Sequence, residues 1–354
     1  MELATQTGAT ESRDLRDATL EELERIVADG GERPFRARQI ARWLFQSRVE
    51  SFDAMSDVPA GLREYLKVHF KIGGAAVAHV ARATDGTRKL LIRLEDGEEI
   101  ETVIIPTDKR ITLCISSQAG CAMACEFCAT ARMGLHRNLT AGEIVAQIFA
   151  ARRELGFDEE LTNYVFMGMG EPLANYPRLI KTLRIMTAEW GMGISTRRIT
   201  VSTVGLIPMM EKLAAEIPVN IAVSLHATTN EMRDRLAPIN KRYPLEQLID
   251  SCKRLPIRRR DRITFEYVML AGVNDGAADA KRLVKLLAPL RAKVNLIFFN
   301  PFAGSDLGAS SRASVEAFQA ILQNGNLTAT IRESRGLDIA AACGQLYAEQ
   351  HRAA

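Results

Sequence analysis

Three of the six cysteines fall within one short stretch, Cys121-Ala-Met-Ala-Cys125-Glu-Phe-Cys128, spaced four and then three apart. Thiolates are soft ligands, and soft ligands select iron–sulfur clusters, zinc or Cu(I). An ordinary electron-transfer cluster takes four cysteines, whereas Cys114, Cys252 and Cys343 are dispersed along the chain. Three ligands on a four-iron cluster leave one iron open. An open coordination position is what separates a catalytic metal site from a structural one. From a different class comes a zinc-binding RNA module with His136 as fourth ligand. The spacing of the triplet and a Gly170-Glu171 loop downstream argue against it. The lack of a nearby fourth cysteine argues against a ferredoxin.

Composition sets the frame for this triplet. The chain has 354 residues, 47% hydrophobic and 25% charged, which is ordinary for a globular protein of two or three domains. No apolar run reaches membrane-spanning length, and the polar, mixed-charge N-terminus does not read as a signal peptide. A cytoplasmic location and no membrane partner are expected. There cysteines stay reduced, and clusters of them mean metal or catalysis. A net charge of +3 permits an anionic partner without demanding one.

The elements that must position the cysteines follow from periodicity. Residues 1–16 lack an apolar pattern and are expected to form a disordered lead. Thr19-Leu-Glu-Glu22 is a capping box that opens a helix, closed by Gly30-Gly31. Phe35 to Arg48 and Leu62 to Val68 give two further helical pieces. Residues 17–75 thus form a small helical module whose face carries Arg36, Arg38 and Arg42. A solvated charged face explains these arginines more simply than RNA contact does. Over residues 76–106 the period changes to two. Asp85-Gly86 and Asp96-Gly97 serve as hairpin turns between strands at His79–Ala83, Lys89–Leu94 and Glu99–Ile105. Pro106 is expected to end the third strand, and Glu101 on it reads as a surface carboxylate.

From residue 107 to 346 strands and helices alternate, beginning with a strand at Thr112–Ser116 and a second capping box at Thr140-Ala-Gly-Glu143. Strands separated by helices of this length imply βαβ units and a parallel sheet, here a partial (β/α) barrel of six strands. Leu327–Ile331 is a candidate final strand, and residues 347–354 are a tail. Chemistry in βα folds gathers at the C-terminal strand ends. Those ends are unusually polar: the cysteine triplet with Cys114, then Gly168-Met-Gly170-Glu171-Pro172, Ser202-Thr203, Ser224-Leu225-His226 and Asn300-Pro301. Each has an ordinary structural explanation by itself. Together, at successive strand ends, they describe a site.

The CxxxCxxC spacing is the signature of the radical S-adenosylmethionine (SAM) enzymes. From about Arg33 to Leu346 the chain resembles, more narrowly, the RlmN/Cfr family of radical SAM RNA methyltransferases. The motifs that carry the resemblance are Pro34-Phe-Arg-Ala-Arg-Gln39, Glu101-Thr-Val-Ile-Ile-Pro106, Leu113-Cys114-Ile-Ser-Ser-Gln-Ala-Gly-Cys121, Met167-Gly-Met-Gly-Glu-Pro172, Val223-Ser-Leu-His226, Phe299-Asn-Pro301 and Gly336-Leu-Asp-Ile-Ala-Ala-Ala-Cys343-Gly-Gln-Leu346. The last is rare among radical SAM enzymes.

The resemblance implies an α/β fold: a partial (β/α)6 radical SAM barrel with an N-terminal helical domain and a three-stranded β extension. It implies a 4Fe-4S cluster on Cys121, Cys125 and Cys128, and a SAM site lined by Gly170, Glu171, Ser202, Ser224, Leu225, His226 and Asn300. Cys343 would carry a methyl group, Cys114 would be its thiol partner, and Glu101 the proton acceptor. The implied reaction is methylation of adenine C2 in 23S rRNA and tRNA, with two SAM per turnover, one as methyl donor and one as radical source. Methylation at C8, as in the Cfr branch, is the alternative. A flavodoxin or ferredoxin would supply electrons to a monomeric enzyme. The two distant thiols must then meet, because thiolate attack on sulfur releases the product. In the bridged state their Cα atoms stand ~4.4–6.8 Å apart. Cys252 matches nothing catalytic and reads as a small hydrophobe. A target base inside the protein must leave its stack, which loop RNA allows most cheaply. Candidate phosphate contacts include Arg132, Arg137, Arg197, Arg198 and the run Lys253–Arg262, although that run precedes a strand and so faces away from the site.

Overall fold

A computed structural model describes residues 12–348. One ten-stranded sheet organises it, with strands numbered here in chain order: β1 (Ala76–Arg82), β2 (Arg88–Arg93), β3 (Glu99–Thr107), β4 (Arg110–Cys114), β5 (Asn163–Phe166), β6 (Ile199–Thr203), β7 (Asn220–Ser224), β8 (Ile263–Met269), β9 (Ala292–Phe298) and β10 (Thr328–Arg332). Each strand pairs with its neighbour in sequence. The pairs from β4 to β10 are all parallel, and those from β1 to β4 are antiparallel. The alternation of strands and helices therefore closes a partial barrel, as expected, and β10 is the final strand. The β extension is not a separate layer: β3 pairs with β4, register Val103 to Cys114, so it continues the barrel sheet. Pro106 does not end β3, which runs on to Thr107 with Pro106 opposite Ile111.

The helical module begins earlier than periodicity suggested. Residues 1–11 lie outside the described residues. Arg13–Asp14 pairs with Phe70–Lys71, and Leu15 and Arg16 are buried. Arg16 donates to Val49 O at 2.9 Å and to Gly73 O. The end of the proposed lead is thus a tie between the first and last segments of the module. Both capping boxes are present, at Thr19/Glu22 and Thr140/Glu143, each hydroxyl and carboxylate satisfying a helix-start N–H. Leu23, Ile40, Leu44 and Phe45 form the module's core together with Val145 and Phe149 of the barrel helix Ala141–Arg153. Fully burying such side chains contributes about 1.5–3 kcal/mol each, which fixes the module on the barrel's outer layer. Arg42 pairs with Asp57, and Arg36 donates to Gln39 and to Asp57 O, so two of the three arginines noted on this face are engaged locally. No helix among the described residues is long and apolar enough to cross a membrane.

Candidate active site

The cysteine loop hangs from β4 and is clamped at its base. Gln118–Gly120 pairs with Leu135–Asn138, and the Cys121 N–H donates to Gly134 O at 2.7 Å. Ala124, between the first two thiols, adopts φ 53°, a left-handed turn uncommon for a residue with a Cβ. The far side of the loop is stitched to the C-terminal segment. The Ala129 N–H donates to Gly344 O at 2.7 Å and Thr130 Oγ1 to Leu346 O at 2.7 Å. Two pieces of chain more than two hundred residues apart in sequence therefore share hydrogen bonds beside Cys128 and Cys343.

Two cavities meet here. The narrow one, about 150 Å3, is lined by Cys121, Cys125 and Cys128 and by Gly170, Glu171, Ser202, Ser224 and His226. The wide one, about 650 Å3, fills the barrel interior and is lined by Cys114 and Asn300. Cys343, Cys128, Glu266 and Arg332 line both. The structure thus gathers most of the residues singled out by sequence. Leu225 is fully buried behind the wall, its N–H donating to Glu266 O at 3.0 Å. Asn300 is on the wide side, where its Nδ2 donates to Cys343 O at 3.2 Å. Cys252 is buried in the main core.

Glu101 corrects its reading as a surface carboxylate. It is wholly buried, lines neither cavity, and is held at both oxygens. Oε1 pairs with Lys89 Nζ at 2.7 Å, and Oε2 accepts from the Tyr347 N–H at 2.8 Å. Lys89 also donates to Ala340 O at 3.2 Å. The start of the expected tail is thereby packed against the barrel, the Tyr347 N–H on Glu101 and Ala348 buried. Sequence alternation on β3 could not show this, because both faces of that strand are covered.

Backbone geometry explains the glycine motif. Gly170 has φ 97°, and a Cβ there would lie 2.6 Å from Gln118 Cβ. Glu171 is buried, with Oε1 accepting from Leu173 N–H at 3.0 Å and Oε2 from Val204 N–H at 2.8 Å. Burial pushes its pKa up to about 7 against those stabilising amides. His226 sits at φ 57°, and its Nδ1 accepts from the Val268 N–H at 3.0 Å. That bond places the ring proton on Nε2. Burial holds the ring neutral, with a pKa near 3, the Arg233 charge adding to the effect.

Sequence reasoning missed the groups that support these ends. Arg233 is wholly buried and donates to Val204 O at 2.6 Å, to Leu225 O and Ser224 O at 3.3 Å, and to Asn240 Oδ1 at 3.0 Å. Asn274 Nδ2 donates to His226 O and Val268 O, both at 2.8 Å. Both lie in helix or loop segments that look like ordinary polar surface, so no local pattern marks them.

The donor set fits a thiolate-held cluster with a polar cosubstrate. Three thiols share one wall, and His226 Nε2 is buried there without an internal partner. Burial pushes the Cys121 thiol up to about 12, and a coordinated metal reverses that by deprotonating its thiols outright. Among the described residues no three His, Cys, Asp or Glu side chains converge around a single ion. His136, the fourth ligand of the zinc alternative, is exposed and turned to Glu98, Nδ1 to Oε2 2.8 Å.

Comparison with known proteins agrees. Residues 115–286 match the radical SAM superfamily, and residues 13–72 match the ribosomal RNA large subunit methyltransferase N-terminal domain. The Dual-specificity RNA methyltransferase RlmN of Geobacter sulfurreducens is 49% identical, covering 94% of this chain and 91% of its own. That of Anaeromyxobacter sp. is 51% identical over 95% of this chain and 91% of its own. A crystal structure of a radical SAM methyltransferase from Sphaerobacter thermophilus superposes with a TM-score of 0.90 at 46% identity, covering 95% of this chain and 100% of that one. Likeness at that level over nearly the whole length, on a fold that brings the cysteine triplet to Cys343, means that the chain belongs to the RlmN family of radical SAM RNA methyltransferases.

Proposed function

We propose that this chain methylates C2 of an adenosine in 23S rRNA and in tRNA, with Cys343 carrying the methyl group between two chambers. The observation that carries this reading is the place of Cys343 on the wall shared by the cysteine cavity and the Cys114 cavity. Cys121, Cys125 and Cys128 would hold the 4Fe-4S cluster, and Gly170, Glu171, Ser202, Ser224, Leu225 and His226 would shape the SAM pocket. When bound, cluster and SAM supply the methyl group and the one-electron chemistry that an electron-poor carbon requires.

The chain's own part is placement. Asn300 and the Gly344–Ala129 hydrogen bond hold the Cys343 segment at the junction. The Cys343 sulfur takes the methyl group and presents its carbon to the base. Release needs a proton acceptor and a sulfur nucleophile. Glu101 is the acceptor; it is covered by the Tyr347 amide, so the Cys343 segment must lift before a proton can reach it. Cys114 then attacks the Cys343 sulfur: a disulfide forms, the sulfur–carbon bond breaks, and its electron pair leaves with the product carbon, which takes up a proton to complete the methyl group. A two-electron thiol reductant must reopen the disulfide before the next turnover. Burial, with Cys343 adding to it, pushes the Cys114 thiol up to about 12, so its proton must be removed as it attacks. A reduced flavodoxin or ferredoxin would be the electron donor, and a monomer in the cytoplasm the working form.

Nucleoside mass spectrometry of 23S rRNA and tRNA from cells with and without the gene tests this reading. Loss of 2-methyladenosine from both RNAs is expected on deletion. Unchanged 2-methyladenosine, or loss of 8-methyladenosine instead, contradicts it.

A further inference from the structure

Among the described residues, the barrel interior holds a buried acidic group that the reading above leaves idle. Glu266, in the middle of β8, is buried at 4% exposure. Its Oε1 accepts from Asn295 Nδ2 at 2.9 Å, and Asn295 Oδ1 in turn accepts from Thr330 Oγ1 at 2.8 Å. Its Oε2 has no hydrogen-bond partner. A buried polar atom left without a partner costs free energy, and such atoms are kept where a ligand supplies the missing bond.

The position says which ligand. Glu266 lines both cavities, but Asn295 and Thr330, the two side chains that fix its orientation, line the wide one with Cys114. The reacting base carbon must reach the Cys343 sulfur from that side, so the base ring occupies the part of the wide cavity beside Glu266. A carboxyl oxygen offers an acceptor. The complementary donor on adenine's Watson–Crick edge is its exocyclic amino group.

Resting on the functional reading above, we propose that Glu266, oriented by Asn295, accepts a hydrogen bond from the 6-amino group of the target adenine and so recognises the base. The site's grip on the base then depends on one acceptor held rigid by a side-chain relay. A base lacking the amino group leaves that acceptor buried and unpaired, which is a penalty as well as a lost contact.

The test uses reconstituted holoenzyme and tRNA carrying either adenosine or purine riboside, the same ring without the 6-amino group, at the methylated position. Two quantities are read: kcat/KM for each RNA, and SAM affinity by equilibrium dialysis. The wild type should favour adenosine by about 10- to 100-fold, the range for leaving a buried acceptor unpaired. Glu266→Ala should bring that preference close to one with SAM affinity unchanged. Asn295→Ala, which keeps the acid but frees its orientation, should lower the preference partway. Equal rates on both RNAs by the wild type overturn the proposal without needing any variant. So does a preference that survives in Glu266→Ala, or a loss of SAM affinity with the preference intact. Failure of the wild type to methylate the adenosine RNA strikes the functional reading itself and is a separate result.

Discussion

The two chambers that meet at Cys343 are built differently. The narrow one is made from strand-end loops, where backbone does most of the shaping: Gly170 at φ 97°, His226 at φ 57°, Glu171 between the Leu173 and Val204 amides. The wide one is lined largely by side chains carried on the strands themselves, Thr112, Asn163, Thr200, Thr264, Asn295 and Thr330. Chemistry that any radical SAM enzyme shares needs a fixed backbone cradle. Substrate choice needs side chains that can vary without disturbing the strands carrying them. Cys343 belongs to neither wall by sequence. It arrives on the C-terminal segment and is tied to the cysteine loop by the Gly344–Ala129 and Leu346–Thr130 hydrogen bonds.

This contrast can be broken most forcefully at Cys343. Cys343→Ala should abolish RNA methylation while leaving reductive SAM cleavage, read as 5′-deoxyadenosine by mass spectrometry. Cys128→Ala should lose both activities and its iron. Normal methylation by Cys343→Ala removes that residue from the mechanism. Next comes the support beneath Glu101. Lys89→Met leaves a wholly buried carboxylate without its ion-pair partner, a change that costs about 3–5 kcal/mol. Urea unfolding should show it, and a loss under about 1 kcal/mol would mean that the pair is not the main support for the Glu101 charge.

Legibility followed the same division. The narrow chamber was readable because its residues sit at strand ends in contiguous motifs, and a strand end is where a period-two pattern stops. The residues lining the wide chamber also repeat every two positions, as in Lys293, Asn295 and Ile297 or Thr330 and Arg332. That repeat is the same one an ordinary half-buried strand shows, so nothing distinguishes Asn295 from a surface asparagine. Arg233 was invisible for another reason. Three of its four acceptors are backbone carbonyls of two other loops, and a backbone carbonyl has no residue type. The family resemblance named Cys114, Cys343 and Glu101, but not the Lys89 and Tyr347 contacts that bury Glu101, since those depend on how the C-terminal segment folds back.

Arg233 sharpens the comparison at the narrow chamber. Arg233→Met leaves four acceptors on buried loops short of a donor and should cost about 3 kcal/mol. SAM affinity should fall as well, because Ser224 and Leu225 are among the residues it holds. Stability loss with full SAM affinity would confine Arg233 to a structural role.

A smaller effect concerns pH in the unloaded protein. Neutral His226, with a pKa near 3 against an ordinary 6.5, contributes stability that is present above pH 6.5 and is lost as pH falls. Glu171, raised to about 7 from an ordinary 4.5, acts oppositely: the folded state binds the extra proton between those values, so its contribution grows as pH falls. Between pH 4.5 and 6.5 the two oppose each other. Glu171→Gln should unmask stability falling towards acid, by up to about 1.4 kcal/mol per pH unit, and His226→Asn the reverse slope. Parallel slopes in the two variants would contradict the assignment.

The central claim is that one sulfur serves both chambers and that Cys114 frees it. Cys114→Ala, incubated with SAM, reductant and tRNA and then digested, tests it most directly. A modified adenosine covalently attached through one carbon to the Cys343 peptide is the expected product, found by tandem mass spectrometry. Full turnover without an adduct, or an adduct on any other residue, would contradict it.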